Sequence, residues 1–161
     1  MLKPVYILCL CFLLIIITSA GSAWDEPAFV LYNGVITGIS GEADIKKSGQ
    51  RSWVKAENGY ILSQADVIKI GDGSFVDMQF SRKGKASFKI RLRDNSNLTF
   101  TSLMAGNADT CENIMLDLAI GDILIRVDKL PEQSKFRVRT PTSMVGVKGT
   151  RFEVKHGKPG E

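Results

Sequence analysis

Reactive side chains are scarce in this sequence. Histidine occurs once, as His156 beside Gly157 and Lys158 in a polar C-terminal stretch. General acid–base work at neutral pH is most often done by histidine, so a solvated terminal position for the only one argues against such an enzyme. Cysteine occurs three times, and Cys9 and Cys11 both fall in an N-terminal apolar run. Cys111 is then the one thiol of the remaining chain, which excludes an internal disulfide there. Its neighbours Asp109, Thr110 and Glu112 disfavour a thiolate, so it reads as inert. No serine sits in a Gly-x-Ser-x-Gly elbow, and Asp66, Asp72 and Asp77 lack the spacing of a metal loop. Catalytic residues, metal ligands and cofactors are all expected to be absent. Aromatic residues make up only 8% of the chain, and few fall on the exposed phase, which leaves no stacking platform for sugars or bases. The net charge of +4 is spread among acids, too mild a balance to argue for nucleic acid.

One long apolar run is present, at the N-terminus. Lys3 supplies a positive n-region, residues 5–18 an apolar h-region, and Ser19-Ala20-Gly21-Ser22-Ala23 the small residues that a signal peptidase needs. Residues 1–23 therefore read as an export signal, with cleavage after Ala20 or Ala23. The run is shorter than the roughly 20 residues of a spanning helix, so no stable membrane span is expected. No cysteine stands at the cleavage region, which argues against a lipid anchor. Residues 24–161 form one domain of a size that buries its own core, ending in a short polar tail at 157–161. A periplasmic or extracellular location follows as an expectation.

Beyond Trp24 the apolar residues recur with period two. Val76, Met78 and Phe80 alternate with Asp77 and Gln79; Phe88, Ile90 and Leu92 alternate with Lys89, Arg91 and Arg93. The same holds for Ile123, Ile125 and Val127, for Phe136 and Val138, and for Phe152 and Val154. This is the pattern of strands that bury one face. Turn-forming residues at 71–73, 82–85 and 94–97 punctuate the runs. The spacing predicts an all-β domain, a sandwich, barrel or short solenoid, taken as a compact twisted β-sandwich or a short β-solenoid-like stack of many short strands. Residues 114–120 fit a strand but also part of a helix face. Residues 102–113 are polar and small, and read as an inserted loop. Proline at 141 ends a strand or holds it at an edge. The glycines of Val145-Gly146-Val147-Lys148-Gly149-Thr150 suit a tight structural crossing, since a phosphate-binding loop needs a longer glycine spacing.

The surface feature that stands out is basic. Lys89, Arg91 and Arg93 point away from Phe88, Ile90 and Leu92, with Arg82, Lys83 and Lys85 at the preceding turn. Arg137 and Arg139 extend this stripe if their strand lies alongside. The plain reading is a solvated face that discourages edge pairing; the sharper one is a site for an anionic glycan, a lipid headgroup or an acidic protein.

Several motifs together resemble the FecR domain family over nearly the whole chain after the signal. Gly41, Ala43 and Ile45 look like the family's first strand, followed by Trp53. Residues 62–74 are similar to its L-x-x-G-D-x-I-x-T-G-x-x-S element, with Asp66, Ile68, Gly71 and Ser74 in place, but with Ala65 for glycine and Ile70 for threonine. Asn95, Ser96 and Leu98 match its N-S-x-L turn, and Gly121 a strand start. The stretch from Phe136 through Thr140, Pro141, Gly146, Gly149 and Thr150 to Val154 matches its C-terminal signature. These motif residues read as structural. The best-known members restrain or help a sigma factor through a cytoplasmic segment, cross the inner membrane once and sense a receptor outside. The apolar run here leaves no room for that segment, so the resemblance implies the exported half alone. It implies a non-enzymatic interaction module contacting an envelope protein or a cell-surface polymer, with signalling as one role. The contact would use a sheet face, a sheet edge or residues 102–113. The alternative is a carbohydrate- or anion-binding domain using the basic strand face.

Overall fold

A computed structural model describes residues 30–82, 85–106, 112–128, 132–147 and 151–157. The expected export signal at residues 1–23, Lys83, Cys111, Gly149, Thr150 and most of the terminal tail lie outside these residues. Thirteen strands run in chain order: β1 (Val30–Leu31), β2 (Asn33–Ser40), β3 (Ala43–Lys46), β4 (Val54–Lys55), β5 (Ile61–Leu62), β6 (Val67–Ile70), β7 (Phe75–Arg82), β8 (Lys85–Leu92), β9 (Asn97–Ala105), β10 (Glu112–Val127), β11 (Lys135–Arg139), β12 (Met144–Val147) and β13 (Arg151–His156). The molecule is all-β, as the alternation predicts, and among the described residues no helix is long and apolar enough to cross a membrane.

The strands form one open, curled sheet with two leaves. The first leaf runs β4-β3-β6-β9-β10-β11-β12, and the second β5-β2-β7-β8-β10-β13. β10 belongs to both. Its first half pairs with β9 and, in parallel, with β11; its second half pairs with β8 and β13. Two register shifts against β9, between Met115 and Asp117 and between Leu118 and Ile120, precede Gly121 at φ +115°. Bulges sharpen local twist, and glycine accepts a conformation closed to other residues, so β10 passes from one leaf to the other there.

The leaves close over one core. Phe80 and Phe88, paired across β7 and β8, stack at 4.6 Å; Phe100 of the first leaf approaches Phe80 at 5.3 Å, and Phe136 meets Phe88 edge-on at 5.2 Å. Ile36, Ile45, Ile68, Met78, Leu116 and Ile125 fill the space around these rings. The sheet stays open from β4 to β5 and curls so that its two leaves face each other, which is nearer to the sandwich than to a closed barrel or a solenoid.

Several local expectations change. Residues 114–120 are strand, with Ile114, Leu116 and Leu118 inward, so the helical alternative falls. Residues 102–113 are not one inserted loop: residues 102–105 end β9 and residues 112–113 begin β10, because Leu103, Ala105 and Ile114 bury in the core. β1 and β2 precede the strand that carries Ala43 and Ile45. Gly146 lies on the exposed edge strand β12 with open space where a Cβ would stand, so it makes no tight crossing. His156 ends β13, paired with Gly121, rather than lying in a solvated tail.

Candidate functional site

Several of the described family-motif residues, Asp66, Gly71, Ser74, Asn95, Thr140 and Pro141, sit in or beside turns. Asp66 is 1% exposed, and its carboxylate accepts hydrogen bonds from the backbone N–H groups of Ser48 and Ser63 at 2.9 and 2.8 Å and from Lys47 Nζ at 2.7 Å. The turn before β6 is thereby tied to the turn after β3. Ala65 occupies the left-handed region at φ 66° in that turn, which is why glycine suits the position.

Two further turns share one design. In Asp72-Gly73-Ser74, Ser74 Oγ donates to Asp72 O and accepts from the N–H of Glu42, while Gly71 N–H donates to Glu42 O. In Asp94-Asn95-Ser96, Ser96 Oγ donates to Asp94 O and accepts from the N–H of Asp122, while Arg93 N–H donates to Asp122 O. Gly73 and Asn95 take matching left-handed conformations, φ 58° and 54°. Each serine latches the residue after a glycine of positive φ, Gly41 or Gly121. Asn95 Nδ2 donates to Asp72 Oδ1 and links the two turns. Thr140 closes the β11–β12 turn through its N–H and Oγ1 with Ser143, leaving Pro141 exposed where no ladder donor is needed. In these turns Asp66, Ser74, Asn95, Ser96 and Thr140 bond to the protein's own backbone and side chains.

The basic stripe is divided by its partners. Arg91 is clamped in bidentate fashion by Asp77, both bonds 2.7 Å, and its guanidinium lies 4.8 Å from the centroid of the Phe75 ring. Arg93 reaches Asp122 at 2.8 Å and Glu153 at 2.6 Å, and Lys155 lies 3.5 Å from both acids. Hydrogen bonding to Asp77 and its charge raise the Arg91 pKa; hydrogen bonding to Asp122 and its charge, with Glu153 adding, raise that of Arg93. Arg82 turns aside to donate to Gly106 O at 3.0 Å, and Lys85 begins β8. Arg137 and Arg139 do not extend the stripe. They lie on the first leaf, where Arg137 donates to Asn113 Oδ1 and Arg139 clamps Asp117.

Lys89 is the member of the strand stripe that forms no ion pair with a described residue, and its neighbours are on other strands. It pairs in register with Arg126 of β10, which pairs in turn with Arg151 of β13. All three are exposed, and none makes an ion pair among the described residues. Like charges directly opposite on neighbouring strands repel, so the row costs stability. It borders a groove of about 400 Å³, lined also by Thr37, Asp77, Arg91 and Leu124. Sequence reading missed Arg126 and Arg151. Each alternates with core residues on its own strand, and that signal was visible, but their convergence with Lys89 depends on register across distant strands.

A second cleft, about 690 Å³, lies where the two leaves meet beside the Asp94-Asn95-Ser96 turn, between Lys69, Asp94, Asn97, Asp122, Lys155 and His156. Among the described residues no group of His, Cys, Asp and Glu could hold a metal ion.

A family model described as FecR protein matches residues 66–160, more than half of the chain. No curated protein and no solved structure matches it.

Proposed function

Because the chain belongs to the FecR protein family, we propose that it acts outside the cytoplasm as a non-enzymatic interaction module, engaging an envelope partner through the outer face of the second leaf. One observation carries the choice of face. The acids Asp77, Asp122 and Glu153 there are each committed to a basic partner, yet Lys89, Arg126 and Arg151 stand side by side with no ion pair among the described residues. Such placement costs stability and presents positive charge that a complementary partner would neutralise. Export is supported by the signal-like residues 1–23.

A photocrosslinker replacing Gln79, which pairs with Lys89 on the adjacent strand, samples this face directly. In cells expressing the full chain, adducts are expected from that position, and they should fade when Lys89, Arg126 and Arg151 are all changed to glutamine. Adducts from Thr101 on the first leaf, with none from Gln79, would move the contact to the other leaf. Fractionation that left the chain in the cytoplasm would defeat the whole reading.

A further inference from the structure

We propose that the row Lys89, Arg126 and Arg151 binds an acidic polysaccharide lying across the strands, one carboxylate to each cation. The inference rests on the reading of this face as an interaction surface and names its ligand class. The three side chains stand on adjacent strands in direct register. Two strand spacings separate the backbones of the outer pair by about 10 Å, so side chains extended from the sheet present a row of three cations, suited to a chain bearing one charge per repeat. Guanidinium groups at two of the three positions match carboxylates in bidentate geometry.

The surroundings choose among polyanions. Gln79 continues the row on β7, and Thr37 and Leu124 line the adjoining groove. Neutral hydrogen-bonding groups and a half-buried apolar side chain complement the hydroxyls and C–H faces of sugar rings, which a polyphosphate lacks. Single-stranded nucleic acid is bound largely by base stacking on aromatic rings. Phe75, the aromatic residue on this face among the described residues, is already covered by Arg91. Beyond Gln79 the row turns apolar, through Val35 on β2 to Ile61 on β5. The charged part of the site thus ends after three cations, and binding should saturate with ligand length.

The test is titration of the purified protein with galacturonate as monomer, trimer and longer oligomers, with tripolyphosphate as the matched inorganic polyanion. Affinity should rise steeply from monomer to trimer and then level off. The variant K89Q/R126Q/R151Q should bind the trimer at least about tenfold more weakly at low salt. Each single glutamine variant should lower the salt slope of log K by roughly one. Because the three residues are exposed and mutually repulsive, the triple variant should keep or raise its unfolding midpoint, so lost binding is not lost folding. Equal affinity for monomer and trimer, tripolyphosphate binding as tightly as the trimer, or a triple variant that binds normally would each overturn the proposal. Absence of galacturonate binding together with Gln79 adducts that need the three cations would overturn the polysaccharide while leaving the interaction surface standing.

Discussion

Ala65 shows how a single residue departs from its motif at a measurable cost. Alanine at φ 66° carries steric strain of about 1–2 kcal/mol, partly offset because glycine orders at greater entropic cost. Ala65→Gly should therefore stabilise the protein by about 0.5–1 kcal/mol, read as a higher urea midpoint at unchanged slope. Asp117 gives a pH dependence. Burial pushes its carboxyl up, but hydrogen bonds from Arg139 and Thr101 and the Arg139 charge outweigh this and hold it below the usual range. A depressed carboxylate contributes stability that is fully present above the unfolded value of about 3.9 and is lost as pH falls through the lower folded value. Asp117→Asn should then flatten the acid limb of the stability profile below about pH 4, with little change in its slope near neutrality. An unchanged acid limb would show that the Arg139 clamp contributes nothing to folding. At this scale the sequence was informative about residue type: Asn95 stood out within a turn, and Asp66, Ser74 and Thr140 as family-motif positions. Their partners did not, since Glu42 and Asp122 lie far along the chain from the serines that latch them.

Elements are joined by the two serine latches, and these set a ranking of glycine substitutions. A Cβ on Gly121 would stand 2.5 Å from the Ser96 Cα, whereas one on Gly41 would stand 2.7 Å from the Ser74 Cβ and 3.1 Å from its Cα. Side chains give way more easily than backbone, and φ is less tolerable at +115° than at +81°. Gly41→Ala and Gly121→Ala should both lower stability by more than about 2 kcal/mol, with Gly121→Ala the worse in chemical denaturation. Equal losses would show that neither the larger φ nor the approach to the Ser96 backbone makes Gly121 the more constrained position. The alternation of Val76, Met78 and Phe80 or of Ile123, Ile125 and Val127 was enough to identify strands, because one buried face imposes period two whatever the partner strand. It could not say that Lys89, Arg126 and Arg151 form one row.

For the whole molecule the decisive element is β10, whose two halves serve different leaves. A strand shared in this way, with the Phe80, Phe88, Phe100 and Phe136 contacts across the core, couples both leaves into one unfolding unit. Leu118→Ala in the first leaf and Ile125→Ala in the second should each cost about 2–4 kcal/mol. In both variants, hydrogen exchange of the β6 and β7 amides should accelerate together, although those strands lie in different leaves. Acceleration confined to the mutated leaf would show two independent units.

The all-β class, the buried phase of each strand and the turn residues were decided by the sequence itself, because burial on one face and left-handed turn geometry are local demands that residue types answer locally. Which strands adjoin, where β10 changes leaf, which arginines find acids and which cations remain unpaired were decided only by the tertiary structure. Those outcomes depend on register between segments far apart in the chain, and an alternating pattern is equally satisfied by many registers.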